Sequence, residues 1–174
     1  MNRSEPATAR IELGRLLRPV GIRGEVKLLP SPDFWPAALD SARLLLVSAA
    51  GERPVRVTGS RPAGECVVLR LAELEDRNGA EALRDAELWL AGEPDVELPE
   101  EPRAWQLAGM RVLLAAGGEL GEVMDLAPRP GQALLQVKGG TKVYEIPFVP
   151  PILCGIDWEA GTITVDPPDG LLEL

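Results

Sequence analysis

The chain has 174 residues, 45% of them apolar, with 18 Lys+Arg against 27 Asp+Glu and a formal net charge of −9. That composition is ordinary for a folded protein rather than a disordered one, and it contains no run of about eighteen apolar residues that could cross a membrane as a helix. Histidine is absent, which removes the commonest general base and metal ligand, and with it the usual zinc sites and nucleophile–histidine–acid arrangements.

The start, MNRSEPATARIELG, is polar, has no apolar core or small-residue cleavage site, and is expected to be disordered and not a secretory signal. The two cysteines, Cys66 and Cys154, are far apart with no CxxC; they are expected to be reduced core thiols of a cytoplasmic protein. Charge is unevenly placed. Residues 1–90 carry 13 basic and 13 acidic side chains, whereas residues 91–174 carry 5 and 14. Concentrated Lys and Arg supply phosphate affinity, so the second half is a poor nucleic-acid binder. An acidic half attracts a basic protein, or simply keeps the chain soluble. Residues 1–30, with 6 basic against 3 acidic, carry a small basic surplus.

Along the chain, Ile11–Leu17 alternates as a strand, and Arg18 to Gly24 forms a turn with two glycines. Glu25–Leu29 resumes as a strand, with Val26 and Leu28 on one face. Arg43–Val47, Pro54–Thr58 and Glu65–Leu71 follow as short strands. A single short helix starts at Asp76 or Asn78 and ends at Asp85-Ala86, and Glu87–Leu90 returns as a strand. Gly and Pro punctuation between six short strands predicts a small barrel.

Glu93 to Gly109 then combines five carboxylates, three prolines and Trp105. Proline lacks the N–H and clashes with the preceding turn, so nothing in the stretch suits a helix interior. Glu93 to Pro102 reads as a stiff, acidic, solvent-facing linker, and Ala104 to Gly109 as part of a second domain to which it delivers an aromatic anchor. Beyond it, Met110–Leu114, Leu120–Leu126, Ala133–Val137, Val143–Ile146 and Thr162–Val165 read as strands. Turns fall at Gly117-Gly118, Pro128–Gly131, Gly139-Gly140 and Asp157–Gly161. Their short connections predict a second, all-antiparallel barrel.

No catalytic constellation emerges. Lys138–Lys142, KGGTK, lacks the GxxxxGK[ST] spacing of a phosphate loop and reads as a hairpin turn. Gly21, Arg23 and Gly24 could offer N–H groups and a guanidinium to a phosphate, or merely shape a turn. Asp166 and Asp169 lack the further oxygen ligands that calcium needs.

Three stretches carry a family resemblance. Leu13–Leu28, LGRLLRPVGIRGEVKL, Arg103–Val112, RAWQLAGMRV, and Glu145–Leu174, EIPFVPPILCGIDWEAGTITVDPPDGLLEL, together resemble the signatures of the bacterial ribosome maturation factor RimM family. The resemblance implies a mainly all-β fold: a translation-factor-like N-terminal barrel with one short helix, residues 9–92, then a Pro/Glu-rich linker, residues 93–103, then a C-terminal PRC-type barrel, residues 104–174. It implies a non-enzymatic accessory factor in assembly of the small (30S) ribosomal subunit, in its head region. Such a factor would bind the basic head protein numbered nineteen and support processing of the 16S rRNA of the precursor subunit, with no cofactor, metal or membrane partner; a cytoplasmic monomer is expected.

The family's tyrosine pair, which matters for ribosome binding, falls on Ala104 and Trp105, and the partner-binding candidates are Ala104, Trp105, Leu107 and Gly109. Trp105 has two open readings, a contact residue or a plug for the barrel floor. Arg18, Gly21, Arg23, Gly24 and Lys27 are candidates for an rRNA contact, against a solvated face around a glycine turn. The chain departs from the family where its first-signature histidine is Val20 and its first tyrosine is Ala104.

Overall fold

A computed structural model describes residues 10–174; the expected disordered start lies outside the described residues. The chain forms two compact units that divide between Glu100 and Glu101.

In the first unit, β1 (Arg10–Val20), β2 (Glu25–Pro30), β3 (Leu44–Ser48), β4 (Gly51–Pro54), β5 (Val57–Ala63), β6 (Cys66–Leu71) and β7 (Glu87–Ala91) form one sheet. Its order is β4-β3-β7-β1-β2-β6-β5, and every pairing is antiparallel. The two edge strands, β4 and β5, are consecutive, separated only by Val55 and Arg56. Laid flat, seven strands would hold their edges about 29 Å apart at roughly 4.8 Å per strand. Three residue steps reach only about 10 Å, so the sheet must curl until its edges meet. Strand alternation supplies the inside: Val26 and Leu28, Leu44 and Leu46, Leu69 and Leu71, and Leu88 and Leu90 are all buried. Each such side chain contributes about 1.5–3 kcal/mol when removed from water.

The expected strand Pro54–Thr58 is instead the corner between β4 and β5. Pro54 can close an edge strand because no ladder N–H is required of it there. The helix α1 (Arg77–Glu81) is shorter than expected. Asp76 is its N-cap, its side chain accepting from Gly79 N at 2.8 Å. The following turns end at Asp85, whose φ is +66° and whose N–H donates to Leu16 O at 2.9 Å.

The second unit opens with α2 (Ala104–Leu107), followed by β8 (Arg111–Leu114), β9 (Glu119–Arg129), β10 (Gln132–Gly139), β11 (Lys142–Pro147), β12 (Leu153–Asp157) and β13 (Thr162–Val165). The sheet order is β11-β10-β9-β8-β13-β12. One expectation fails here: β13 pairs with β8 in parallel, Thr162 opposite Arg111 through Val165 opposite Leu114. Short connections determine only the sequential hairpins, whereas β8 and β13 are joined through four intervening strands and are free to run the same way. Strand β12 is an addition to the strands expected from sequence; Gly155 and the preceding prolines mask its alternation. Leu107, Val112, Val123, Leu135, Val137, Ile146, Ile163 and Val165 fill the core of this unit. Both cysteines are free; Cys66 is half-buried and Cys154 exposed, so the latter is not a core thiol. It sits on the edge strand β12, where the outward residue meets solvent.

Candidate functional site

The prolines of the acidic stretch all precede Ala104, and the four residues that follow them form the turn of helix α2, contrary to the expectation of no helix there. Arg103, extended at φ −106° and ψ 159°, donates its backbone N–H to Gln106 Oε1 at 2.8 Å. Ala108 N donates to Ala104 O at 2.9 Å and Met110 N to Leu107 O at 3.0 Å. Gln106 therefore closes the helix start from inside. Gly109, at φ +82°, redirects the chain so that its N–H reaches Val123 O on β9 at 2.9 Å.

The four partner-binding candidates separate in this geometry. Leu107 is 0% exposed, inside the core, so it cannot touch a partner and instead pins the helix to the barrel. Gly109 is exposed and makes the turn. Ala104 and Trp105 are half-buried. Trp105 is held at a fixed place on α2, its indole nitrogen buried and the residue as a whole half-buried.

The same end of the sheet carries residues that the sequence reading missed. In the turn between β12 and β13, Asp157 Oδ1 accepts from Ala160 N at 2.9 Å, and Trp158 projects with 52% of its surface exposed. Arg111, two residues beyond Gly109, donates its N–H to Gly161 O at 3.0 Å. On the other side, Val123 N donates to Met110 O at 2.9 Å, and the next residue, Met124, is exposed. Glu122, Asp125, Asp157 and Glu159 around them are exposed. An aromatic inside a four-residue turn was the available signal for Trp158, but turn chemistry alone explained the segment.

In the first unit, the β1–β2 tip places Arg18, Gly21, Ile22 and Arg23 in solvent, with Ile22 79% exposed. Arg77 Nη1 donates to Gly21 O at 3.2 Å and steadies the tip. Gly24 is buried at φ +75°, and a Cβ there would lie 2.8 Å from the backbone O of Leu74. Close packing explains this glycine without any ligand. Lys27 is half-buried on β2, opposite Val68, which in turn lies opposite Arg61. The candidates for an rRNA contact thus divide between an exposed tip and the sheet's outer face. Beside Lys27, Arg61 and Arg70 share the Glu25 carboxylate at 3.0 and 3.4 Å.

The acidic stretch is not a free spacer. Trp35 Nε1 donates to Glu97 O at 2.8 Å, Arg43 Nη1 to Glu93 O at 2.6 Å, and Ala42 N to Asp95 Oδ2 at 3.2 Å. The Ser41 hydroxyl donates to the other Asp95 oxygen. That hydroxyl, together with backbone N–H groups, holds the Asp95 carboxyl below its ordinary pKa against the opposing effect of desolvation. Glu93, Glu97, Glu100 and Glu101 are exposed, but the Asp95 side chain and the carbonyls of Glu93 and Glu97 are tied to the first unit.

One β unit thus presents an exposed cationic hairpin tip, and the other a half-buried Trp105 and an exposed Trp158 among carboxylates. The RimM N-terminal domain family matches residues 11–93 and the RimM PRC barrel domain family matches residues 105–171. The ribosome maturation factor RimM of Streptomyces avermitilis is 34% identical over 169 residues, covering 94% of this chain and 90% of the relative. That of Thermobifida fusca is 34% identical over 169 residues, covering 95% and 98%. The crystallised RimM protein of Pseudomonas aeruginosa is 27% identical, with a TM-score of 0.45, covering 91% of this chain and 97% of that one. The chain belongs to the RimM family.

Proposed function

We propose that this protein is an accessory factor in maturation of the small ribosomal subunit and acts by binding rather than by catalysis. The observation that carries the reading is the match of both units, over nearly the whole chain, to the two RimM domain families, supported by relatives named for ribosome maturation. Residues 9–92 and 104–174 serve as the working domains, with 93–103 between them. The second unit binds the basic head protein numbered nineteen, with Trp105 as the anchor, Ala104 beside it, and Leu107 and Gly109 holding their geometry. This occurs on the precursor subunit, in the cytoplasm, with the factor as a monomer, and it supports 16S rRNA processing. Residues 101–174 carry 5 basic and 10 acidic side chains, the complement of a protein that must itself sit on phosphate. Capture of purified small-subunit proteins by the full chain, beside naked rRNA, tests the reading. Retention of the head protein is the expected result, and retention of rRNA alone contradicts it.

A second reading rests on the hairpin tip. Arg18 and Arg23 are exposed on either side of Ile22, and among the described residues neither has an ion-pair partner within 4.0 Å. Free guanidiniums on a steadied loop suit phosphate contacts on precursor rRNA. Binding to precursor subunits that falls on reversing both charges is the outcome this reading requires.

A further inference from the structure

We propose that Trp158 is the second aromatic of the partner contact, so that the surface engaging the basic ribosomal protein runs from helix α2 across β8 to the β12–β13 turn. The inference rests on the function proposed above and extends its site to a residue outside the family's tyrosine pair. One member of that pair is Ala104 here, a methyl group that offers a partner little area.

The backbone brings the pieces together. Arg111 and Thr162 are opposite in the parallel β8–β13 pair, Asp157 is opposite Thr162 on β12, and Arg111 is opposite Glu122 on β9. At this row β12, β13 and β8 meet their connections, while β9 and β10 run on past it. Beyond it lie α2 with Trp105, the exposed Met124 following Val123, and the turn that carries Trp158. Single exposed apolar residues are unremarkable on a protein surface; here a half-exposed Trp, a half-exposed Met and a half-buried Trp all follow one row of one sheet. Trp offers large area at low conformational cost and is enriched at binding hot spots.

Charge selects the occupant. Glu122, Asp125, Asp157 and Glu159 lie around the apolar residues and are exposed, against two cations: Arg111, paired with Glu119 at 3.5 Å, and Lys138, opposite Glu122. An apolar centre with a carboxylate rim fits a basic protein surface and repels nucleic acid.

Titration of the full chain with the purified basic head protein tests this. Trp158→Ala should weaken binding by about tenfold or more, and Trp158→Phe should recover most of the loss. Glu159→Lys should slow association several-fold, more at low salt than at high. Val143→Ala, exposed on the opposite edge strand β11, should leave affinity unchanged. Thermal unfolding of all four variants should stay close to the parent's, because each side chain is largely outside the core. If the parent binds and Trp158→Ala binds equally well, Trp158 is no part of the contact while the proposed function stands. If the parent itself does not bind, the functional reading fails, and this inference with it.

Discussion

At the scale of single residues, two neighbours two positions apart in one short helix have opposite duties. Leu107 is sealed in the core, and Leu107→Ala is expected to cost the second unit about 2–5 kcal/mol, by lost transfer energy plus the cavity left behind. Denaturant titration measures it. Trp105→Ala removes a half-buried ring and is expected to leave the second unit folded while costing about 2 kcal/mol or more of partner binding. A large loss of stability with Trp105→Ala would make that ring a barrel plug instead. The identity of Trp105 as the aromatic to watch was legible in the sequence, because an isolated Trp after a proline-rich acidic run stands out. The burial of Leu107 was not legible, because a single apolar residue in a one-turn helix carries no periodicity. Trp158 was missed because an Asp-x-x-Ala-Gly turn is already explained by its backbone.

At the scale of elements, the acidic stretch changes character most. Its prolines and carboxylates predicted a spacer, and its composition gives no sign that its carbonyls are taken by Trp35 and Arg43 on the first unit. Such pairings join residues some fifty to sixty positions apart, beyond the reach of local pattern. Asp95 is the ionisable part of this latch. Its folded pKa is lowered, so its contribution is fully present above the ordinary carboxylate value of about 4 and is lost as pH falls through the lower folded value. Asp95→Asn is expected to remove that pH dependence and to speed hydrogen exchange at the Ala42 amide and the Trp35 indole. Unaltered exchange would show that the stretch is held by its carbonyl contacts alone. The hairpin tip belongs to this scale as well: Arg18→Glu with Arg23→Glu is expected to weaken binding to precursor subunits without affecting binding of the isolated head protein.

At the scale of the whole molecule, two barrels were legible from short alternating strands between Gly and Pro turns, and from the family resemblance. The curling of the first follows from the two-residue connection between its edge strands. The parallel β8–β13 pair was hidden, because only three-dimensional closure, and no turn signal, specifies which way a returning strand runs. That pair sets the Trp158 turn beside the chain leaving α2. The acidity of the second unit then bears on partner capture. Association with a basic ribosomal protein is expected to slow steeply as salt rises past about 0.15 M, where screening reaches about 8 Å. A salt-independent association rate would remove electrostatic steering from the account.

The central claim, that the second unit captures a basic ribosomal protein through an aromatic anchor, is tested most directly by calorimetric titration of the small-subunit head protein numbered nineteen into the full chain and into Trp105→Ala. The account predicts saturable binding by the parent and an affinity lower by about thirtyfold or more in the variant, with both proteins equally folded. Equal affinities would contradict it.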